Sequence, residues 1–457
     1  MFESLHAMSE SIRILVLLLS AVVYALAFPP HDWRPLVLVG LGGFFWSLQG
    51  CTTGQACLYG LLWGLVTFAF GLSWLWNIFH GFALLLWLIL ALFPAAFAML
   101  CASAQMRRLG GWSLAAFIAL AWCAMEFIRC ELMPLRFPWM SVGLALEPWP
   151  LVSWIGVYGL GLVIALIVAG MQQVGWNVMW LLPVLGVAWT FEMRLIQAPE
   201  MPMPVSLVQA EIAPLSRYLA LSDQTAETAK LIVWPEYAVP KDVRASSDLV
   251  TIQALAAKRK AILVFGTQTG LGGAKWQNTA LTIDGSRVLG EHGKHHTVHL
   301  FNDGETGPTM KAIDTPLGRM GTPVCFDCDF QDVVRRMTLD GAAFFAVPSM
   351  DASHWGEKLH IQHAQFFRLR AAENRRAFIV AASSGVSQII TPNGVQSQNL
   401  PTMVEGVMDG VVTPQKDITF FTRFGWLTPW LALSAVTLWF AWLLWMPHGP
   451  IVTPSLK

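Results

Sequence analysis

Charged residues are scarce in this sequence, and lysine is missing from its first half. Only 13% of the 457 residues are charged, and Lys230 is the first lysine. Soluble proteins average about 25% charged residues, so the composition excludes a soluble protein with a single core. The net charge is zero and the longest basic run is Lys258-Arg259-Lys260. Such a chain offers no basic face to follow a phosphate backbone, which excludes nucleic acid as a partner.

Cysteine is also rare where the sequence is polar. Of the seven cysteines, only Cys325 and Cys328 lie beyond residue 200. A disulfide framework is excluded for so long a chain with so few polar-side cysteines, although this pair could close on itself in an oxidising compartment. A redox Cys-x-x-Cys motif opens a helix in a thioredoxin-like unit, whereas Cys325 ends an apolar run. The pair therefore favours a nucleophile over a redox centre.

The sequence is instead rich in long apolar segments, with 55% hydrophobic residues. A helix that crosses a hydrocarbon core of about 30 Å needs roughly 20 apolar residues. The predicted membrane spans are 12–28, 35–50, 56–79, 82–106, 112–129, 150–171 and 174–191, with an eighth near 426–446. The first is predicted to be a retained helix and not a signal peptide, because it lacks a cationic flank beyond Arg13 and a small-residue cleavage site.

The number of spans predicts the side of the membrane on which the polar part lies. Seven spans before residue 200 place that part across the membrane from the N-terminus. Arg107 and Arg108 follow the fourth span and favour a cytoplasmic N-terminus, while Arg34, Arg129 and Arg136 fall on the opposite side. The prediction is an extracytoplasmic polar domain.

Between about 200 and 418 the pattern changes to short β-branched runs separated by turns and amphipathic helices. The predicted strands are 205–209, 231–234, 261–265, 279–283, 322–325, 343–347 and 378–382. Strands that alternate with helices indicate a layered α/β domain. We therefore predict a helical membrane bundle at 1–195, an α/β domain at 200–418 and a final membrane helix at 424–446.

Three polar residues lie at or near predicted strand ends, where an α/β sheet presents its reactive groups. They are Glu236, Lys294 and Cys325. A free thiol titrates near 8.5, so a nucleophilic cysteine needs a neighbouring base or cation. Glu236 could take the proton and Lys294 could stabilise an oxyanion. Glu236 alone would more often be a solvated carboxylate in a turn, but the three residues together favour catalysis.

Other polar residues carry weaker signals. The histidines at 292, 295, 296 and 299 and at 354, 360 and 363 lack a recognised set of accompanying ligands, so neither a metal nor a cofactor is predicted. Glu126 and Arg129 lie three residues apart in an apolar segment, where an unpaired charge is costly. They are predicted to neutralise each other, with a lipid headgroup contact as the alternative. Arg370 and Glu373 are predicted to pair on a helix surface.

Several short motifs recur in a known family. In the apolar part they are Leu26-Ala27-Phe28-Pro29-Pro30, Gly71-Leu72-Ser73-Trp74, Phe137-Pro138-Trp139-Met140-Ser141 and Gly156-Val157-Tyr158-Gly159-Leu160. In the polar part they are Trp234-Pro235-Glu236, the Lys294 loop, Cys325, Asp351-Ala352, Arg370-Ala371-Ala372-Glu373-Asn374, Thr391-Pro392-Asn393-Gly394 and Thr422-Arg423-Phe424-Gly425-Trp426. In the order of these motifs and in their membrane context, the sequence resembles the apolipoprotein N-acyltransferases, the membrane-bound branch of the nitrilase superfamily.

This resemblance implies a fold, a reaction and a location. The fold is a nitrilase-like αββα sandwich beside a bundle of about seven spans and one final span. Glu236 is the implied general base, Lys294 the oxyanion stabiliser and Cys325 the nucleophile, with Glu305 and Asp327 as supporting acids and Asp303 as the alternative to Glu305. The cysteine takes an acyl chain from a phospholipid and passes it to the N-terminal amine of a diacylglyceryl-cysteine lipoprotein. The implied protein is a monomer of the bacterial inner membrane, with its catalytic domain on the periplasmic side.

The sequence also departs from the family pattern. Phe326 and Asp327 stand where the family has Tyr and Glu, and only about 30 residues separate Lys294 from Cys325, which predicts a reduced lid over the lipid cleft. A more open cleft admits water. The alternative function is therefore a membrane-tethered carbon-nitrogen hydrolase, an amidase with water as its acceptor.

Overall fold

The apolar half of the chain is helical. The computed structural model describes residues 10–107, 109–147, 149–175, 177 and 202–445. Its helices before residue 200 are α1 (Glu10–Leu26), α2 (Leu36–Ser47), α3 (Thr53–Gly71), α4 (Leu75–Phe79), α5 (Ala83–Met106), α6 (Gly111–Phe127), α7 (Val142–Ala145) and α8 (Val152–Val174). A π-helical turn, Ile128–Leu132, extends α6.

Within these ranges, five stretches are long and apolar enough to cross a membrane. They are Thr53–Gly71, Leu75–Met106, Gly111–Leu132, Val152–Val174 and Gly425–Trp445. The first two predicted spans are helices as well, but α1 has 17 residues and α2 has 12. The predicted seventh span, 174–191, lies mostly outside the described residues. The membrane bundle is thus confirmed as a fold class, while the number of spans and the domain limits stay predictions.

Small residues allow the bundle helices to pack closely. A Cβ atom on Gly60 of α3 would lie 2.4 Å from the backbone oxygen of Pro94 in α5, and one on Gly64 would lie 2.6 Å from the ring of the same proline. Membrane helices associate through such close contacts, because lipid tails supply no hydrophobic driving force between them. Glycine at these two positions therefore brings α3 and α5 together.

Glu126 and Arg129 each hydrogen-bond to backbone, and no salt bridge joins them among the described residues; their charges still attract each other, so the mutual neutralisation stays a prediction. A Glu126 carboxylate oxygen accepts a hydrogen bond from Val142 N at 2.7 Å. Arg129 Nη1 donates to the carbonyls of Phe137 and Trp139 at 2.7 and 2.8 Å. Backbone groups at membrane depth need partners, and these two side chains supply them to the loop between α6 and α7.

The polar half contains two six-stranded sheets. The strands are β1 (Met203–Gln209), β2 (Leu231–Val233), β3 (Ile262–Gly272), β4 (Lys275–Ile283), β5 (Val288–Gly293), β6 (Ile313–Thr315), β7 (Gly318–Gly321), β8 (Phe344–Ser349), β9 (Ala377–Ala382), β10 (Gln388–Ile390), β11 (Gln396–Asn399) and β12 (Gly406–Val412). The strand orders are β12-β1-β2-β3-β4-β5 and β11-β10-β9-β8-β7-β6. The helices are α9 (Leu215–Ser222), α10 (Asp248–Arg259), α11 (Asp332–Leu339), α12 (Glu357–Asn374), α13 (Phe420–Arg423) and α14 (Thr428–Trp445).

The alternation of side chains along the strands produces four layers. In β8, Phe344 and Ala346 pack between the two sheets, while Phe345 and Val347 face the helices outside. In β2, Leu231 and Val233 likewise face the other sheet. Successive side chains of a strand point to opposite faces, so both faces of each sheet are covered. This arrangement confirms the predicted αββα sandwich.

Helix α12 joins the sandwich to the membrane helices, and Arg370 and Glu373 on it are buried rather than on the surface. Arg370 binds Glu373 and donates to the carbonyls of Cys328 and Asp329 at 2.9 and 3.0 Å. A Glu373 oxygen accepts a hydrogen bond from Val157 N at 2.9 Å, where α8 is interrupted. The predicted pairing is therefore confirmed but its surface position is wrong, because the buried pair links the turn after Cys325 to a membrane helix.

Replacement of Glu373 tests this link. Glu373→Ala leaves the buried Arg370 cation unpaired, and removal of one partner of a buried pair costs about 3–5 kcal/mol. We expect a clear fall in the thermal unfolding temperature of the purified protein in detergent. Glu357→Ala, at an exposed position in the first turn of the same helix, is the matched control and should change stability by less than about 0.5 kcal/mol. Equal shifts for both variants would contradict the assignment.

Candidate active site

Glu236 lies just beyond β2, in the turn that follows Trp234 and Pro235. Its side chain is 2% exposed, and its backbone N–H donates to Ser349 O at the end of β8. Strand β3 passes so close that a Cβ on Gly266 would lie 2.5 Å from Glu236 Cα. Only glycine leaves room there for the glutamate turn. The local sequence therefore buries this carboxylate at the sheet ends.

Lys294 follows β5 and is held between two carboxylates. Its Nζ atom lies 2.9 Å from a Glu236 oxygen and 2.8 Å from an Asp303 oxygen. Asn278 Nδ2 donates to the same two carboxylates at 2.6 and 2.8 Å. All four side chains are buried, so they form one hydrogen-bonded cluster from which water is excluded.

The charged groups in this cluster shift one another's pKa values. Burial alone would lower the pKa of Lys294, but Asp303 and Glu236 outweigh it and raise that pKa well above its usual value. Burial would raise the pKa of Asp303, yet the nearby ammonium and its hydrogen bonds lower it overall. For Glu236, burial outweighs Lys294 and the pKa is raised. A carboxylate with a raised pKa beside a fixed cation is suited to accept a proton.

Cys325 opens a 3-10 turn, Cys325–Asp329, and not the strand predicted at 322–325, because β7 already ends at Gly321. Its φ of 47° is in the left-handed region, which is uncommon for a residue other than glycine. Its thiol donates to Met350 O at 3.6 Å. Burial raises the pKa of the thiol well above its usual value, and the charge of Glu236 adds to this, while Lys294 opposes it. Cys325 therefore rests as a protonated thiol at neutral pH.

Asp327 fastens the lysine loop to the cysteine turn. One carboxylate oxygen accepts the backbone N–H groups of His295 and His296 at 2.9 and 2.7 Å. The other accepts Val324 N and lies 3.0 Å from His292 Nε2. Burial would raise the pKa of Asp327, but the His292 hydrogen bond and the histidine charges lower it. This carboxylate thus positions the residues on either side of it.

Glu305 was expected in the cluster from the sequence, but the structure places it outside. The Glu305 side chain is 53% exposed and lies 3.4 Å from Lys275 Nζ. The chain turns at Gly304, which has a φ of 79°, and the turn sends the next side chain outward. Asp303 takes the expected place beside Lys294, and the oxygen that faces Lys294 also accepts Val298 N at 2.9 Å. This bond between Val298 and Asp303 holds the two ends of the loop tip 299–302 together.

Glu236, Lys294, Cys325 and Asp303 line one cavity of about 520 Å³. Much of the rest of its wall is apolar, and the membrane helices, the loop before α7 and the lysine loop supply part of it: Leu75, Ile78, Phe79, Leu86, Ile89, Leu90, Phe137, Leu300 and Phe301. Ligand cavities typically enclose about 300–1,000 Å³. This one combines a charged cluster at the thiol with a surface suited to an alkyl chain.

A second buried charged group lies beside the thiol, and the sequence analysis missed it. His363 Nδ1 is 2.7 Å from an Asp351 oxygen, and Nε2 is 3.2 Å from an Asp329 oxygen. Burial would lower the pKa of His363, but the two carboxylates raise it to about 10. Asp351 and His363 line the cavity. Only the fold brings these residues together, and the sequence signals were the motif Asp351-Ala352 and the set of histidines that includes His363.

Among the residues that the structure describes, two clusters have the residue types that bind metal ions. Ligand atoms of Cys325, Asp351 and His363 lie within 4.8 Å of one another, and those of His295, His296 and Asp332 do so too. A metal must displace the proton from its ligands. Both ring nitrogens of His363 already face carboxylates, and its raised pKa keeps the ring protonated at neutral pH. The arrangement at Cys325 is therefore that of an ion pair.

Cys328 does not take part in the site. It packs in the core formed by the outer face of the second sheet and its helices, and it is not among the residues that line the cavity. Both Cys325 and Cys328 are free thiols. The disulfide that the sequence left open is thus not formed in this structure.

Comparisons with known proteins match both halves of the chain. Residues 20–170 match the family model of the apolipoprotein N-acyltransferase N-terminal domain, and residues 197–416 match that of the carbon-nitrogen hydrolases. A protein of Geobacter metallireducens named apolipoprotein N-acyltransferase is 26% identical over 92% of this chain and 93% of its own. One of the same name from Vibrio parahaemolyticus is 25% identical over 93% and 95%. A nitrilase-superfamily structure from Saccharomyces cerevisiae, 22% identical, covers 47% of this chain and 92% of its own with a TM-score of 0.41.

Alkylation of Cys325 by iodoacetamide tests the raised pKa of the thiol. Only the thiolate reacts, so the rate follows its fraction. We expect the folded protein to react more slowly than the unfolded chain, and its rate to rise only at higher pH, whereas the unfolded chain should titrate near the ordinary thiol value of about 8.5. Peptide mass spectrometry measures the adduct, with Cys325→Ala as the blank. A folded-state profile at lower pH than the unfolded one would contradict the prediction.

Proposed function

The chain belongs to the apolipoprotein N-acyltransferases, the membrane-bound branch of the nitrilase superfamily, and on that premise we propose that it transfers an acyl chain from a phospholipid to the N-terminal amine of a lipoprotein. The acyl chain passes through a thioester on Cys325. Glu236 is the general base and Lys294 the oxyanion stabiliser in this proposal. Asp303 and Asp327 hold the two in place.

One observation carries the proposal: the thiol opens into a cavity whose apolar wall is built in part by the membrane-length stretch Leu75–Met106. A hydrolase of soluble amides has no use for such a wall. Leu300 and Phe301 line the same cavity and are 59% and 41% exposed. Exposed apolar residues at the rim favour contact with a lipid surface over contact with water. The cavity therefore suits a substrate that arrives from the bilayer.

The first half-reaction forms the thioester. Glu236 takes the proton of the Cys325 thiol as the sulfur attacks the ester carbonyl of the phospholipid. The Lys294 ammonium stabilises the negative oxygen of the tetrahedral intermediate, an effect worth on the order of 3 kcal/mol for one well-placed donor. The intermediate collapses as the lysophospholipid oxygen leaves, and this oxygen takes the proton from Glu236. A resting thiol fits this scheme, because the proton moves only when the substrate is present.

The second half-reaction passes the acyl chain to an amine. The free amine of the acceptor attacks the thioester carbonyl, and Glu236 takes a proton from the nitrogen. The carbon-sulfur bond then breaks, and the sulfur receives that proton from Glu236. Covalent catalysis converts one difficult ester-to-amide exchange into two easier steps.

The location follows from the substrates. A phospholipid donor and a lipoprotein acceptor meet in a bacterial inner membrane, and we place the catalytic domain on its periplasmic side and the protein in the membrane as a monomer. The domain limits that fit this scheme are 1–195, 200–418 and 424–446. No cofactor enters either half-reaction.

Cysteine variants test the nucleophile. Cys325→Ala removes the sulfur that lines the cavity, so we expect no thioester and no acyl transfer. Cys328→Ser changes a core thiol outside the cavity and should retain most of the activity. Mass analysis of the intact protein after incubation with labelled phospholipid measures both. Comparable loss in the two variants would remove Cys325 from the mechanism.

The fate of the acyl-enzyme separates transferase from hydrolase. A transferase excludes water from its thioester until an amine arrives. We expect the acyl-enzyme to persist in detergent without an acceptor, and to discharge when a diacylated lipopeptide with a free α-amine is added. An acetylated lipopeptide should leave it intact, because its nitrogen is not nucleophilic. Release of free fatty acid at a rate that the lipopeptide amine does not change would show the hydrolase instead.

A further inference from the structure

The acceptor of the proposed reaction carries a positive charge. The roles of Glu236 as the base and Lys294 as the oxyanion stabiliser do not include binding that charge. An α-amino group has a pKa of about 7.7–8.0, so at neutral pH most of the acceptor is an ammonium ion. The ammonium must be brought to the thioester and must lose a proton before it can attack. The residues around Cys325 therefore need an anionic group for the acceptor in addition to those that act on the acyl donor.

We propose that Asp351, held in place by His363, binds the α-ammonium group of the acceptor next to the Cys325 thioester. The inference rests on the proposed function and adds the recognition of the second substrate to it. Asp351 is 3% exposed and lines the cavity. An Asp351 oxygen and the Cys325 sulfur belong to the group of atoms that lie within 4.8 Å of one another. A bound ammonium would thus lie beside the acyl carbon.

His363 is a fixed cation and not a base in this arrangement. Its two ring nitrogens face the carboxylates of Asp351 and Asp329 at 2.7 and 3.2 Å, so neither is directed at the thiol. A pKa of about 10 keeps the ring protonated at neutral pH. The cluster does not form the Cys-His pair of a thiol protease, in which the imidazole takes the proton from the sulfur. Its effect is to orient Asp351.

The sign of the local charge fits a cationic ligand. The three side chains carry two negative charges and one positive charge, and of the two carboxylates only Asp351 lines the cavity. A carboxylate near the sulfur disfavours the thiolate, and Asp351 contributes to the raised pKa of Cys325. Asp351 thus opposes the first half-reaction. Its presence beside the thiol is explained if it serves the second half-reaction, in which the acceptor amine arrives as a cation.

The two oxygens of Asp351 differ in their hydrogen bonding. One oxygen faces His363, while Oδ2 has no hydrogen-bond donor in the part of the chain that the structure describes. A Cβ on Gly385 would lie 2.2 Å from Oδ2. Any side chain at position 385 would displace the carboxylate, so glycine preserves its position. The site thus consists of a buried, oriented and incompletely bonded carboxylate in the cavity.

The protons balance with this role. The ammonium bound at Asp351 loses one proton to water, and the resulting amine attacks the thioester. Glu236 takes a second proton from the nitrogen as the new carbon-nitrogen bond forms, and it gives that proton to the sulfur as the carbon-sulfur bond breaks. The products are the amide, the free thiol and one proton released to water.

Asp351→Asn tests the proposal, because it removes the charge and keeps the shape. The acyl-enzyme is first formed from labelled phospholipid and is then discharged by either of two nucleophiles. One is a diacylated lipopeptide with a free α-amine; the other is hydroxylamine, which is uncharged at neutral pH. We expect thioester formation and the hydroxylamine reaction within about threefold of the native protein. The kcat/KM for the lipopeptide should fall by roughly tenfold or more, mainly through KM, because a charge pair is lost.

Two further variants complete the test. Gly385→Ala displaces Oδ2 without a change of charge, and we expect the same selective loss for the lipopeptide. Glu305→Gln removes an exposed carboxylate outside the cavity and is the matched control, with both nucleophiles unaffected.

Equal loss with both nucleophiles in Asp351→Asn and Gly385→Ala would overturn the inference and assign these residues a structural role. Unchanged lipopeptide discharge in both variants would also overturn it. If the native protein forms no thioester from phospholipid, the proposed function itself fails. That result is distinct from a native thioester whose discharge does not require Asp351.

Discussion

Lys294 carries its positive charge where water is excluded, and the catalytic half is arranged to make that possible. An isolated buried ammonium loses several kcal/mol of hydration, which the carboxylates of Glu236 and Asp303 offset at 2.9 and 2.8 Å. Without the cation, those two carboxylates would repel each other. Asn278 bonds both of them and fixes their separation. The three charged groups therefore stabilise one another, and the cysteine turn is built around them.

The same principle organises the contact between the two halves of the protein. Arg370 and Glu373 are buried in α12, and their hydrogen bonds end on backbone groups of the cysteine turn and of α8. Inside the bundle, Glu126 and Arg129 likewise bind backbone groups of a loop. Buried charges in this protein are used to satisfy backbone that regular helices and strands leave open. They connect elements that hydrophobic packing alone would not hold in register.

The layered fold and the residues at the strand ends could be predicted from the sequence, because they depend on local pattern. Glu236 and Lys294 each follow a strand, and the structure brings both to the cavity with Cys325. Glu305 was misplaced because the turn at Gly304 reverses the direction of the next side chain, which spacing alone does not reveal. Asp351 and His363 are twelve residues apart and meet only through the return of α12 across the sheet ends. Such a contact has no signature in local sequence.

The tip of the lysine loop, residues 299–302, is held at both ends, and this affects how the active site can change over evolution. Asp327 holds the backbone at His295 and His296, and Asp303 holds it again at Val298. Residues 299–302 lie between Val298 and Asp303 and form part of the cavity wall. Substitutions in this tip can reshape the entrance while the lysine and its carboxylates keep their positions. The chemistry and the choice of substrate are thereby separable, and selection can act on one without penalty to the other.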